Sequence, residues 1–374
     1  MLKPGGGITM DHRERVRLAI QHLEPDRVPT GEWLIDKKLM ARIIGKDEND
    51  FDMFTDTKEV YEKLDIDLKG VDCTFEPSPY KWIIGKCTSG RSIIKDGWGA
   101  VYEESEFGSL TSSMIESPIQ KPEDVYEYYF PPLDYYHENA HEIERWVKET
   151  NFFIAADVWG GRGMITPLMG YENYMTWSIT HPQELEHIIR RFTAYNAEIA
   201  KLYIDAGAQI ILVDDDIAGN QGPFMSPHFY RKVLFPALKD EIAAIYAYAR
   251  KKQQEVYVFF HSDGQITSLL DDLLGLGIVG FHPLEPAAGV DIAWVKAHYG
   301  DWLCLMGNID TREVLPRGTP EDVEKEVKRI ISSAARGGGL ILSSANMYTA
   351  DVPVENVLAV YRAVKEFGYY PIEM

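Results

Sequence analysis

From residue 150 onward, short apolar runs alternate with longer amphipathic segments. FFIAADVWG (152–160), QIILVDDD (209–216), VYVFFHSDG (256–264), IVGFHPLE (278–285), WLCLMGNID (302–310) and LILSSANM (340–347) have the length and β-branched content of buried strands. Between them, 182–206, 227–253, 266–276, 289–299 and 319–336 carry helical spacing. Strands buried on both faces and alternating with helices predict a parallel sheet. Upstream, Val16, Ala19, Ile20 and Leu23 mark one helix face, which Pro25 ends. RVPTGEW (27–33) reads as a short strand, 36–66 as irregular helix, and 134–150 as a further helix. With one more strand from 67–75 the count reaches about eight, that of an α/β fold of the (β/α)8 TIM type. An open doubly wound sheet fits less well, because LIDKK and not a glycine-rich turn follows the first strand.

Three further boundaries come from local chemistry. Residues 1–10 read as a disordered leader, leaving 11–374 as one barrel. Residues 67–115 hold short β runs broken by glycine and proline, which predicts an antiparallel excursion beside the barrel mouth. Gly337–Gly339 follow a helix and precede a strand, the order of a C-cap and not of a phosphate loop. Gly160-Gly161-Arg162-Gly163 has the reverse order and could offer N–H groups to an anion.

Composition narrows the partners. The 374 residues include 58 acidic and 38 basic side chains, a formal charge of −20. This opposes a broad nucleic-acid surface. No run approaches the roughly 18 apolar residues of a membrane span. Cys73, Cys87 and Cys304 are too few and too scattered for a disulfide framework, so a reduced cytoplasmic setting is the expectation.

The strand ends are where ionisable groups collect. Asp214–Asp216, His261 with Asp263, His282 with Glu285, Asn308 with Asp310, and Ser343, Ser344 and Asn346 each close an apolar run. In a barrel these ends share one mouth, where barrel enzymes work. His261 and Asp263 lie two apart on an extended chain and point the same way. With Glu285 they form one imidazole and two carboxylates, a set for zinc or another divalent metal, or else a hydrogen-bonded pair without metal. Alternation puts Asp214 and Asp216 on one side of their strand and Asp215 on the other. We assign Asp215, His261 and Glu285 to catalysis, and Asp214, Asn308 and Asn346 to substrate contact. Trp33 and Trp159 join them from an aromatic group that also holds Phe75, Trp82 and Trp98.

At these positions the chain resembles the uroporphyrinogen decarboxylase superfamily, and within it the corrinoid-dependent methyltransferase-like branch. RERVRLAIQHLEPDRVPTGEW resembles the family's opening helix and strand. VDDDIAGNQGPFMSPHFYRKVLFPALKDEI resembles its acidic strand end and following helix, and HSDGQI its "HSCG" metal motif. LEPAAGVDI, GNID and DVPVENV complete the likeness, which runs from residue 11 along the chain. True decarboxylases carry an arginine-rich segment after the first strand, where this chain has Leu34-Ile35-Asp36-Lys37-Lys38. Thiol-alkylating members carry a His-x-Cys pair and a late cysteine, where this chain has His261, Asp263 and Asn346.

The resemblance therefore implies a methyltransferase that moves a methyl group from a small methylated donor, such as a methoxylated aromatic, to a Co(I) corrinoid. The metal, zinc, would be held by His261, Asp263 and Glu285 and would polarise an ether oxygen. The corrinoid would sit on a partner protein, since no Asp-x-His-x-x-Gly motif occurs here. A homodimer is compatible with this reading. The alternatives are a decarboxylase of a small organic acid, a metal-dependent barrel hydrolase, and a binding protein without chemistry.

Overall fold

The computed structural model describes residues 10–73, 81–104 and 113–372. Phe75 and the expected leader, save Met10, lie outside these residues. In chain order the strands are β1 (Gly31–Glu32), β2 (Leu68–Val71), β3 (Lys81–Lys86), β4 (Ser92–Asp96), β5 (Val101–Glu103), β6 (Ser113–Glu116), β7 (Phe153–Trp159) and β8 (Ile210–Asp214). They continue with β9 (Ala218–Gly219), β10 (Gly222–Pro223), β11 (Tyr257–His261), β12 (Gly280–His282), β13 (Cys304–Ile309) and β14 (Leu340–Ser344). One eight-stranded sheet has the order β1-β2-β7-β8-β11-β12-β13-β14. Its strands alternate with helices, the α/β arrangement of a (β/α)8 TIM-type fold. No helix among the described residues is long and apolar enough to cross a membrane.

The chain divides into two compact units: Met1–Gly70, Trp146–Phe153 and Val279–Met374 form one, and Val71–Arg145 and Ile154–Ile278 the other. In the first, Gly31 pairs with Leu68 and Glu32 with Lys69 in parallel register. β13 pairs with β14 from Leu305–Leu340 to Ile309–Ser344. The expected strand 27–33 shrinks to two residues, and the rest of it makes isolated bridges, Arg27 to Tyr369 and Thr30 to Leu342. Pro29 lacks the N–H that a longer ladder needs.

Just before β2 lies a buried charge network. Asp67 accepts hydrogen bonds from Arg15 Nη1 (2.5 Å), Arg27 Nη1 (2.8 Å) and the Thr30 N–H (2.8 Å), with His12 Nδ1 at 2.6 Å. Burial alone would raise this carboxyl, yet His12, Arg27 and Arg15 hold it below its ordinary range. Glu32 is buried differently. It takes the Ser344 hydroxyl at 2.7 Å and the Ser344 N–H at 3.1 Å. Burial pushes its carboxyl up to about 8 against these neutral donors.

In the second unit, β7, β8 and β11 run parallel with Trp159, Asp214 and His261 at one level of the ladder. Ile210, Ile211, Val213, Phe259 and Phe260 fill their buried positions. The helices Pro182–Asp205 and Phe235–Lys252 pack on each other, the second preceded by a π-helical turn at Tyr230–Leu234. The strands β3, β4, β5 and β6 form a separate antiparallel sheet in that order. Trp98 is core, in edge contact with Tyr195 at 5.8 Å, whereas Trp82 is 49 % exposed on β3. Two helices absent from the sequence reading, Gly161–Met169 and Tyr171–Thr180, fill 161–180. Pro167 lies inside the first and Gly170 between them, residue types that ordinarily interrupt a helix.

Candidate active site

Parallel register brings His261, at the end of β11, beside Asp214, at the end of β8. The chain then leaves β8 still extended enough that Asp216 returns to the same side. His261 Nε2 lies 3.9 Å from Asp214 Oδ1, 3.6 Å from Asp216 Oδ1 and 3.7 Å from Asp263 Oδ1. These separations exceed a direct hydrogen bond. They approach the spacing of about 3 to 3.5 Å between neighbouring ligands of one divalent ion. Among the described residues, Asp214, Asp216 and His261 form the group whose ligand atoms lie within 4.8 Å of one another.

The expected ligand set shared only His261 with that group. Asp216 was not among the expected ligands, although the alternation of the acidic run places it with Asp214. Asp263 flanks the imidazole, and its N–H donates to Asp216 Oδ1 at 2.8 Å, fixing that carboxylate. Glu285 lies in the other unit, half-buried, just past β12.

Electrostatics set this cluster apart. Burial, opposed by His261 and reinforced by the charges of Asp216, Asp215 and Asp72, pushes Asp214 up to about 7. Three carboxylates around one imidazole carry an excess of negative charge that a cation would relieve. The donor set of oxygens and one imidazole nitrogen, with no sulfur, fits a divalent metal of harder character than a thiolate site selects.

Asp215 points to the opposite side. Its side chain is fully buried and accepts from the N–H groups of Arg162 (3.1 Å) and Gly163 (2.8 Å), the first turn of helix Gly161–Met169. The anion that the Gly160–Gly163 segment could bind is thus Asp215 itself. A Cβ on Gly160 would lie 1.9 Å from that of Asp215, so glycine is required for the approach. Burial raises Asp215 to about 6 despite these donors. This carboxylate, expected in the chemistry, is engaged as a helix cap. The glycine of the HSDG motif has a similar reason. Gly264 has φ +87°, and its Cβ would meet the Ala218 carbonyl at 2.6 Å.

The remaining expected residues lie mostly in the first unit. Trp33 packs edge-on to His282 at 6.3 Å, and its indole N–H is buried without a hydrogen-bond partner. Asn308, 1 % exposed, donates to the Leu284 carbonyl at 3.0 Å and leaves its Oδ1 unmet. Asn346 is exposed beyond the end of β14. Trp159, in the second unit, sits level with Asp214, and its indole N–H is likewise unmet.

The model of the family "Uroporphyrinogen decarboxylase (URO-D)" matches residues 105–367, well over half of the sequence. The chain belongs to the uroporphyrinogen decarboxylase family. Within it, a uroporphyrinogen decarboxylase of Psychromonas ingrahamii is 26 % identical over 187 residues, 50 % of this chain and 49 % of that protein. The methylcobamide:CoM methyltransferase MtaA of Methanosarcina barkeri is 26 % identical over 204 residues, 54 % of this chain and 55 % of that one. The chain spans about half the length of the curated relatives it matches. A solved structure of a methyltransferase from Methanosarcina mazei superimposes with a TM-score of 0.71 at 20 % identity, covering 96 % of this chain and 99 % of that one. That likeness establishes the shared fold.

Proposed function

We propose that this member of the uroporphyrinogen decarboxylase family is the methyltransferase component of a corrinoid-dependent system. It takes a methyl group from the oxygen of a small methylated donor, a methoxylated aromatic being the class in view, and delivers it to a Co(I) corrinoid on a partner protein. One observation carries the reading. The group at the ends of β8 and β11 offers two carboxylates and an imidazole, without a thiolate. A family relative named for methylcobamide:CoM methyl transfer supports the class of reaction. The missing arginines after β1 weigh against porphyrinogen decarboxylation.

Asp214, Asp216 and His261 would hold a divalent metal, zinc in the first instance. When bound, it supplies Lewis acidity toward the donor's ether oxygen. Asp263 steadies Asp216 through its N–H, and Asp215 anchors the strand end from behind. The transfer balances simply. The donor's C–O bond breaks, its electron pair stays on the oxygen, which gains a proton, and Co(I) supplies two electrons to the methyl carbon. A sulfur-rich metal site keeps a bound thiolate electron-rich enough to attack, whereas this oxygen-rich set suits an oxygen that leaves.

The test is a methyl-transfer assay with a reduced corrinoid protein and a panel of methyl ethers, followed by corrinoid absorbance. Methyl-Co(III) should accumulate with at least one ether, and His261→Ala should slow it by at least about a hundredfold. Ready methylation of coenzyme M from methylcorrinoid, with every ether untouched, would sink the proposal.

A further inference from the structure

Arg162 carries a charge that acts on the buried Asp215 carboxyl and lowers it against burial, yet its side chain does not hydrogen-bond that carboxylate. Its Nη1 donates to the main-chain oxygen of Asp216, whose carboxylate belongs to the His261 cluster. Among the described residues its side-chain hydrogen bond is this one, to a carbonyl and not to a carboxylate. Nε is buried and has no hydrogen-bond partner. Aromatic rings flank the group: its Cζ is 4.5 Å from the ring centre of Phe224 and 5.7 Å from that of Tyr171. Both rings reach solvent, Phe224 with 37 % and Tyr171 with 46 % exposure.

A guanidinium presents five donors in a rigid fork, and a carboxylate binds it best through two parallel N–H groups. With Nη1 held by Asp216, the edge formed by Nε and Nη2 is left for such a partner. A buried charged donor without a partner is costly, so a protein keeps one where a ligand completes it. We propose that Arg162 is the specificity residue of this site and that it recognises a carboxylate on the methyl donor. Phe224 and Tyr171 flank the aromatic ring that bears it. The donor class becomes a methoxylated aromatic acid. The methyl ether in that description rests on the function proposed above, while anion recognition by Arg162 does not.

Calorimetric titration of the purified protein with 3-methoxybenzoate and with its neutral isostere 3-methoxybenzamide separates the two. The chain's charge of −20 opposes any general attraction for the acid, so a preference for it reports a local site. The wild type should bind the benzoate at least about tenfold more tightly than the benzamide. Arg162→Gln should abolish that preference, and Arg162→Lys should keep part of it, as a point charge without the fork. Thermal melts confirm that each variant is folded. Equal binding of the two compounds by the wild type, or a preference that survives in Arg162→Gln, overturns the proposal. A methyl-transfer assay on the same two compounds completes the separation. Preferential binding without transfer upholds Arg162 and rejects the corrinoid reading. Equal transfer from both compounds rejects Arg162 and leaves the corrinoid reading standing.

Discussion

Asp67 and Asp214 are both inward carboxylates at strand ends, and their surroundings are opposite. Asp67 is met by two guanidiniums, an imidazole and a backbone N–H, and stays below the ordinary carboxylate range. Asp214 is met by one imidazole and the charges of other aspartates, and rises to about 7. The first cluster carries its counter-charge in the fold. The second is arranged for a positive charge that the neighbouring residues do not supply in full. The sign of the shift distinguishes a buried carboxylate whose counter-charge is in place from one whose counter-charge is not.

The sharpest way to break this contrast is to delete each acid in turn. Asp67→Ala leaves Arg15 and Arg27 buried without their partner and should cost about 3 to 5 kcal/mol in urea denaturation. Asp214→Asn should leave the stability of the metal-free protein unchanged or higher, and should remove activity in the metal-loaded protein. A comparable loss in both variants would erase the distinction. Adding zinc tests the missing counter-charge directly. At a hundredfold excess over its Kd it should stabilise the wild type by about 2.7 kcal/mol, visible as a higher Tm. His261→Ala should show little of this shift, and elemental analysis should find less metal in it.

Smaller effects sharpen the picture. Gly160→Ala presses a methyl group onto Asp215 and should cost about 1 to 3 kcal/mol. Asp215→Gly in the same chain removes the Cβ that the new methyl meets and should make Gly160→Ala nearly neutral, which a double-mutant cycle would read. Glu32 supplies the pH dependence. Its folded carboxyl sits at about 8, against 4.5 for the ordinary group. The stability it contributes is therefore fully present below about pH 4.5 and is lost as pH rises through 8, by at most about 1.4 kcal/mol per pH unit. Glu32→Gln should flatten stability across that window. Asp67 has the opposite sign, since its stabilisation is present above its unfolded value and fades as pH falls. Chemical denaturation at a series of pH values measures both limbs.

The sequence conveyed the barrel because β7, β8 and β11–β14 are buried on both faces, and such strands announce themselves as unbroken apolar runs. It conveyed less of β1, where Pro29 breaks the ladder and pairing reduces to single bridges. Helix Gly161–Met169 was hidden by its own cap: the glycines that admit Asp215 are read locally as loop signals. His261 and the two-sided pattern of the acidic run were legible, because side chains alternate on an extended chain. Which side faced the imidazole was not, since register between β8 and β11 is a tertiary fact. Arg162 escaped notice for a related reason. Its neighbours Phe224 and Asp216 are more than fifty residues away in the chain.

The placement of Asp215 between Asp214 and Asp216 also bears on how this segment can change over generations. Three consecutive codons specify a neighbour of His261, a helix anchor and a second neighbour of His261. Insertion or loss of one codon upstream within β8 would exchange those places at a stroke, turning the anchor toward the imidazole and its neighbour toward Gly160. Substitutions there can be tested by selection one at a time, whereas length changes cannot.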